Sequence, residues 1–185
     1  MPAVEPPIKR LSGRVVWSCP WYQVRQDQIL LPDGRPGVYN VVEHPGAAWV
    51  VPMTPAGEVI LIRVYRYTVD DWCWEVPAGG LRANQSPEQL AIEELQQEIG
   101  GTAQQLRYLG WFYASNGISN EKGHVFLATG VTLGLPAHEP AEIITLQPFS
   151  PAQALTMART GQITDGPSAL ALLWAEPYLG VANEL

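Results

Sequence analysis

The amino-acid sequence predicts an α/β (α+β) fold, in which a mixed sheet packs between helices and follows a small antiparallel sheet. Short β-prone runs separated by turn residues occupy most of the chain between Arg14 and Tyr67. Helix-capping signals appear later, at Ser86 and at Ser150. Strands early in the chain and helices interspersed late are typical of a sandwich of helices on a mixed sheet.

The strands are predicted in two groups, and the first forms the small antiparallel sheet. Its runs are residues 15–24, 26–31 and 37–44, with the turn Pro32-Asp33-Gly34 before the last. The second group begins with a hairpin of residues 47–53 and 58–67 around the turn 54–57, and residues 72–80 end in a glycine loop. Later strands are predicted at residues 106–114, 123–131 and 143–149.

The helices have recognisable starts and stops. Ser86 is a predicted cap, Pro87 occupies the first helical position, and Gln89 completes a capping box. Gly100 and Gly101 stop this helix. A second helix opens with the same signal at Ser150-Pro151 and ends at Gly161, and a third covers residues 167–175.

The length and composition predict one domain. The chain has 185 residues, 46% of them hydrophobic, which is enough for one buried core of ordinary size. We expect residues 1–13 to form a flexible arm and residues 14–185 to form a single domain, with an N-terminal β subregion at 14–45 and a core at 46–185.

Charge and apolar pattern exclude two classes of partner. The net charge is −7, and phosphate backbones are bound by clustered Lys and Arg, so we expect no nucleic-acid partner. No apolar run approaches the ~18 residues that would span a bilayer, so we expect no membrane association. Cys19 and Cys73 are far apart in sequence and predict neither a zinc site nor a disulfide, which favours a reducing, cytoplasmic setting.

Two carboxylates on the first helix suggest a metal-binding site. Glu94 and Glu98 are four residues apart, and like charges at this spacing repel by roughly 0.2–0.5 kcal/mol. A divalent cation reverses the sign of that interaction, and Mg²⁺ prefers carboxylate and carbonyl oxygens. The glycine loop before the helix could supply the carbonyl of Ala78 or Gly79. The alternative is that this acidic stripe is a solvated helix face.

The stretch VPAGGL and the capped acidic helix that follows it resemble the Nudix hydrolase family. The box of that family runs Gly, five residues, Glu, seven residues, Arg-Glu-apolar-any-Glu-Glu-any-Gly-apolar, and it aligns without a gap from Gly79 to Gly101. The resemblance implies a Nudix-type α/β/α sandwich that binds Mg²⁺, with Mn²⁺ as an alternative. It also implies hydrolysis of a nucleoside diphosphate linked to another group.

Three charged positions of the box differ from the family pattern. Gln85 replaces the first Glu, Glu93 replaces the Arg, and Gln97 replaces the first Glu of the closing pair. Gln97 still offers a neutral oxygen to a metal. The pair Gln85 and Glu93 lacks the carboxylate and guanidinium that would bridge loop and helix in a typical member. We expect weaker metal binding or fewer metals.

The resemblance points to the ADP-ribose or ADP-sugar pyrophosphatase branch. Arg66 and Glu75 occupy positions that this branch places before the box, and by that resemblance Arg66 contacts a substrate phosphate. The alternative is an Arg paired with Asp70 or Asp71. After the box, Tyr113 to Glu121 resembles a branch segment in which Asn116 replaces the marker proline. Glu121 is retained as a substrate-binding candidate.

The two ends of the chain supply the remaining candidates. A late acidic loop in this branch gives a metal ligand, here Glu142, and a catalytic base, here Glu139, with Glu94 as the alternative base. Near the N-terminus, Trp21 and Tyr39 lie where related enzymes stack rings on adenine. The alternative is that Trp21 and its aromatic neighbours bury the interface of a homodimer, and both can hold.

Two functions are consistent with these residues. The first is a Mg²⁺-dependent hydrolase that cleaves ADP-ribose or an ADP-sugar to AMP and a sugar phosphate. Its metal ligands would be Ala78, Glu94, Gln97, Glu98 and Glu142. The second is a Nudix-fold module that binds a nucleotide or a protein without efficient turnover, and Gln97 is its main support.

Overall fold

A computed structural model describes residues 5–138 and 143–180 of the chain. The chain forms two compact units. The N-terminal unit comprises Met1–Pro45 and Tyr113–Lys122, and the core unit comprises Gly46–Phe112 and Gly123–Leu185. The division into a flexible arm and one domain stays a prediction.

The N-terminal unit contains the expected small antiparallel sheet. Its strands are β1 (Lys9–Ser18), β2 (Gln23–Leu30) and β3 (Pro36–Glu43), in the order β1-β2-β3. Residues 9–13, expected in the arm, belong to β1 because they pair with the end of β2. The run 15–24, expected as one strand, is divided between β1 and β2 by a turn in which the Cys19 amide donates to the Tyr22 carbonyl at 3.0 Å.

The core unit is built on a mixed sheet. Its strands are β4 (Ala47–Met53), β5 (Val59–Arg66), β6 (Asp71–Glu75), β7 (Ala78–Gly80), β8 (Gln105–Tyr113), β9 (Lys122–Thr129) and β10 (Ile144–Phe149). The order is β10-β5-β4-β9-β8, with β6 on β5 and β7 on β4. The pair β4 and β9 is parallel, whereas β5 is antiparallel to both β10 and β6.

The hairpin of β4 and β5 opens away from its turn. The two strands pair at Met53 and Val59, beside the turn. Farther from it, β6 pairs with β5 and β7 pairs with β4. The expected glycine loop is therefore a short strand, because residues 78–80 find pairing partners on β4. This pairing gives the glycine segment a fixed backbone beside the sheet.

Helices cover both faces of this sheet. They are α1 (Pro87–Ile99), α2 (Pro151–Arg159) and α3 (Gly166–Ala175), followed by a 3-10 turn at Glu176–Tyr178. Because side chains alternate along a strand, Trp49 and Val51 of β4 pack in one cluster with α2 and α3, whereas Val50 packs in another with α1. The predicted α/β/α sandwich is confirmed. No helix within residues 5–138 and 143–180 is long and apolar enough to cross a membrane.

The caps of the first two helices match their sequence signals. The Ser86 side chain accepts a hydrogen bond from the Gln89 amide, and the Gln89 side chain accepts one from the Ser86 amide. Ser150 and Gln153 form the same capping box at the start of α2. Gly100 ends α1 in the left-handed conformation, with φ at 63°. The two caps fix where α1 begins and ends, and the packing of its apolar flank on the sheet sets the direction of its side chains.

We predict that Gly100→Ala destabilises the core unit more than Gly57→Ala does. Both glycines have a positive φ, 63° and 80°, and a side chain there costs roughly 1–2 kcal/mol. A Cβ at Gly100 would also lie 2.4 Å from the Gly134 carbonyl carbon, whereas nothing lies within 4 Å of a Cβ at Gly57. Urea unfolding should show the larger loss in the free energy of unfolding for Gly100→Ala, and equal losses would contradict this packing.

Candidate active site

Strand β7 lies directly against the acidic turn of α1. A Cβ at Gly79 would lie 2.1 Å from Glu94 Oε1, so only glycine leaves room for this carboxylate. The Ala78 amide donates to Glu98 Oε2 at 2.9 Å. The structure therefore brings together Ala78, Glu94 and Glu98, three of the predicted metal-binding residues. The carbonyl of Ala78 as a ligand stays a prediction.

Glu94 and Glu98 are buried, with exposed fractions of 8% and 4%. The apolar flank of α1, including Leu95 and Ile99, packs on the sheet and turns the neighbouring acids inward. The alternative of a solvated acidic face is wrong for these two side chains. Burying two carboxylates one helical turn apart is costly unless protein groups or a cation compensate their charge.

Arg66 at the end of β5 forms a two-point ion pair with Glu75 at the end of β6. Its Nε donates to Oε1 at 2.8 Å and its Nη2 to Oε2 at 2.6 Å. The pKa of Arg66 is raised, chiefly by these hydrogen bonds and against the effect of burial, with further attraction from Glu75, Glu98 and Asp165. Arg66 therefore keeps its positive charge, and neither bond uses Nη1.

The expected alternative partners of Arg66 are engaged elsewhere. Asp70 accepts from the Tyr65 hydroxyl at 2.5 Å, and Asp71 accepts from the Trp72 amide at 2.7 Å. The hypothesis of an ion pair with Asp70 or Asp71 is wrong. Asp71 is the register partner of Arg66 across β5 and β6, but the guanidinium bonds Glu75, which stands opposite Ile62.

A buried serine of α3 holds the segment between β6 and β7. Ser168 is fully buried, and its Oγ accepts from the Val76 amide at 3.1 Å. Its own amide donates to the Asp165 carboxylate at 2.9 Å, which caps α3. The N-terminal end of α3 thus holds the chain between Glu75 and Ala78 in place. Sequence reasoning missed Ser168, whose only local signal is the capping Asp three residues earlier.

The three altered box positions form one hydrogen-bonded network. Glu93 accepts from Arg82 Nη1 at 2.7 Å, from Gln85 Nε2 at 2.6 Å and from Gln97 Nε2 at 2.8 Å. The pKa of Glu93 is lowered, chiefly by its hydrogen bond to Arg82. The expected loss of the bridge between loop and helix is corrected: a bridge exists, and Arg82 supplies its guanidinium.

The segment before residue 139 is attached to the last turn of α1. The Ala137 amide donates to the Gln97 carbonyl and the His138 Nε2 bonds the Glu98 carbonyl, both at 2.8 Å. Glu139 and Glu142, the predicted base and metal ligand, lie outside the described residues. Their roles stay predictions.

The remaining candidates belong to the N-terminal unit. Trp21 is 71% exposed and lines an open cavity of about 430 Å³ together with Tyr22 and His44. The Tyr39 hydroxyl donates to the Gly117 carbonyl at 3.0 Å. Glu121 Oε1 lies 3.4 Å from His44 Nδ1. The substrate-binding roles of Trp21, Tyr39 and Glu121 stay predictions, as does a homodimer formed through the exposed aromatic residues.

The chemistry of the buried acids fits a hard divalent cation. Glu94 and Glu98 offer only oxygen donors, and the missing side chain of Gly79 leaves the space that the Glu94 carboxylate occupies. Within residues 5–138 and 143–180, no three His, Cys, Asp or Glu side chains form a metal-binding cluster. The described residues therefore supply two carboxylates of the predicted ligand set.

Comparison with known proteins decides the family. Residues 43–169 match the model of the NUDIX domain. The chain belongs to the Nudix hydrolase family. Residues 8–42 match the nucleoside diphosphate sugar hydrolase N-terminal domain, so the match continues on the N-terminal side of the Nudix domain. The family predicted from the box is confirmed, and the chain is a Nudix pyrophosphohydrolase.

Two relatives and one solved structure extend the comparison. The chain is 30% identical over 170 residues to "ADP-ribose pyrophosphatase" of Bacillus subtilis (strain 168), covering 91% of this chain and 92% of that relative. It is 31% identical over 161 residues to "ADP-ribose pyrophosphatase" of Mycobacterium tuberculosis (strain ATCC 25618 / H37Rv), covering 85% and 78%. The crystal structure of an ADP compounds hydrolase superposes with a TM-score of 0.79 at 20% identity, covering 93% and 94% of the two chains, and confirms the Nudix fold.

We predict that Gly79→Ala lowers kcat for nucleoside diphosphate hydrolysis on the order of 100-fold, because a displacement of about 1 Å can have that effect. The added methyl overlaps the Glu94 carboxylate at 2.1 Å, whereas Gly166→Ala, the matched control, meets nothing within 4 Å. Steady-state kinetics of both variants, with circular dichroism to verify folding, check this. Full activity of folded Gly79→Ala would contradict the predicted role of Glu94.

Proposed function

We propose that this Nudix hydrolase cleaves ADP-ribose or a closely related ADP-sugar, with Mg²⁺ as its metal, to AMP and a sugar phosphate. The observation that carries the proposal is the burial of Glu94 and Glu98 against Gly79 and Ala78. The names of the two relatives and of the N-terminal family model support the substrate class. For ADP-ribose the second product is ribose 5-phosphate.

Glu94 and Glu98 are the two described carboxylates that would hold the metal. Their oxygens, together with the Ala78 carbonyl, the Gln97 amide oxygen and Glu142, form the proposed ligand set. A bound Mg²⁺ would neutralise diphosphate charge and acidify a water molecule. The amide of Ala78 bonds Glu98 at 2.9 Å and so limits the directions available to this carboxylate. This prior orientation reduces the reorganisation needed during the reaction.

Arg66 is the proposed phosphate-binding residue. Its pair with Glu75 uses Nε and Nη2, which leaves the Nη1 donors for a phosphate oxygen. Glu75 is 5% exposed and Arg66 is 44% exposed at the side chain, so the buried acid holds the accessible guanidinium in position. Arg66 would stabilise the charge that develops on the departing phosphate.

A base must accept the proton from the attacking water. We assign this role to Glu139, with Glu94 as the alternative. In the N-terminal unit, the exposed ring of Trp21 is our candidate for stacking on adenine, with Tyr39 as a second ring and Glu121 as a polar contact. Stacking of a base on an aromatic ring contributes about 1–3 kcal/mol in nucleic-acid platforms.

We predict that the wild-type protein releases AMP from ADP-ribose in the presence of Mg²⁺ and that Glu98→Gln lowers kcat at least about 100-fold, since metal assistance supplies several kcal/mol. Glu88→Gln is the matched control, because Glu88 is an exposed acid in the first turn of the same helix. Gln97→Glu restores a box carboxylate and should tighten Mg²⁺ binding.

Chromatography of the products and calorimetric titration of Mg²⁺ measure these effects. Equal activity of Glu98→Gln and Glu88→Gln would contradict the proposed metal site. If wild type yields no AMP from any ADP-sugar, and its nucleotide binding is indifferent to Mg²⁺, then the binding-module hypothesis replaces the hydrolase for this chain.

A further inference from the structure

The loop between β7 and α1 is attached to the helix through a network that we call the Glu93 cluster, comprising Arg82, Gln85, Glu93 and Gln97. Arg82 and Gln85 belong to the loop, and Glu93 and Gln97 to α1. The loop is also closed on itself: the Arg82 amide donates to Gln85 Oε1 at 3.1 Å, and the Gln85 amide donates to the Arg82 carbonyl at 3.2 Å.

The charges in this cluster are reversed relative to the box pattern. A typical box has its acid at the loop position, here Gln85, and its guanidinium on the helix, here Glu93. In this chain the acid is on the helix, and the guanidinium of Arg82 reaches it from the loop at 2.7 Å. The same two segments are therefore joined by a pair of opposite polarity, to which a residue outside the box pattern contributes.

The carboxylate of Glu93 also determines the orientation of two amides. An ionised carboxylate only accepts hydrogen bonds, so the nitrogens of Gln85 and Gln97 must face it, as they do at 2.6 and 2.8 Å. The amide oxygen of Gln97 consequently points away from Glu93. Without Arg82, the remaining members of the cluster would offer the charged Glu93 carboxylate only neutral donors. The side-chain amides of Gln85 and Gln97 would then bond a carboxylate whose position is no longer fixed.

We propose that Arg82 is a positioning residue that replaces the missing box arginine, holding the loop on α1 and orienting the Gln97 amide oxygen for the site. This inference rests on the proposed function for its effect on catalysis, but not for the bridge itself. The Arg82–Glu93 ion pair lies at the surface, with side-chain exposures of 62% for Arg82 and 29% for Glu93. Ion pairs at the surface contribute little to global stability. The expected effect is therefore on geometry and turnover, not on folding.

The decisive experiment moves Arg82→Ala between two backgrounds. In the wild-type background kcat should fall about 10-fold, as for removal of groups that orient metal ligands, while KM changes little. In the background Gln85→Glu/Glu93→Arg, the box supplies its own bridge, so Arg82→Ala should leave kcat unchanged. A residue that binds substrate directly would instead raise KM in both backgrounds, which would overturn the proposal.

Hydrogen exchange in the metal-free protein tests the bridge without any activity. Amides of residues 80–86 should exchange faster in Arg82→Ala than in wild type, and the difference should disappear in the Gln85→Glu/Glu93→Arg background. Arg159→Ala is the matched control, because Arg159 and Glu176 form a 2.5 Å pair of comparable exposure, 49% and 27%. It should leave exchange of 80–86 and kcat unchanged.

The two readouts separate this inference from the proposed function. If wild type hydrolyses no ADP-sugar, the substrate proposal fails, yet faster exchange in Arg82→Ala still supports the bridge. If exchange of residues 80–86 is the same with and without Arg82, the bridge is refuted whatever the activity. If exchange changes but kcat falls equally in both backgrounds, the replacement of the box arginine is refuted.

Discussion

Close contact between a glycine strand and two buried carboxylates is the constraint on which the core unit depends. Glu94 and Glu98 face β7 because the apolar flank of α1 packs on the sheet, and the cap at Ser86 fixes where the helix begins. Gly79 leaves the volume that one carboxylate needs, and the Ala78 amide bonds the other. Sheet, helix and glycine segment are thus arranged around the same negative charge.

The separation of β4 and β5 beyond their turn explains how the sheet positions residues beside Glu94 and Glu98. Because β4 and β5 separate beyond their turn, β6 and β7 occupy the positions beside them. The side chain of Arg66 on β5 bonds that of Glu75 on β6. The chain continues from Glu75 to Gly79 within four residues. Ser168 of α3 bonds this connection from the other helical layer. Both layers of the sandwich therefore contribute to the alignment of the site.

Features encoded by neighbouring residues were predictable from the sequence. The capping boxes at Ser86 and Ser150 and the stop at Gly100 require only local spacing, and the structure has them. Features that depend on distant pairing were not. The strand character of residues 78–80 needs β4 as a partner. The bond from Arg66 to Glu75 bypasses Asp71, the register partner of Arg66, so it depends on side-chain positions that strand pairing alone does not give.

The altered box shows that residue identities at motif positions are not enough to judge a site. Gln85 and Glu93 indicated a lost bridge because the sequence does not reveal which side chain reaches Glu93 across a loop. A guanidinium can approach a carboxylate from either segment, provided that the backbone brings the two segments together. A search that requires the strict order of residues would miss this chain, although an ion pair joins its loop and helix as in the family pattern. Descriptors of such sites are better written as pairs of complementary charge on two segments than as a fixed string.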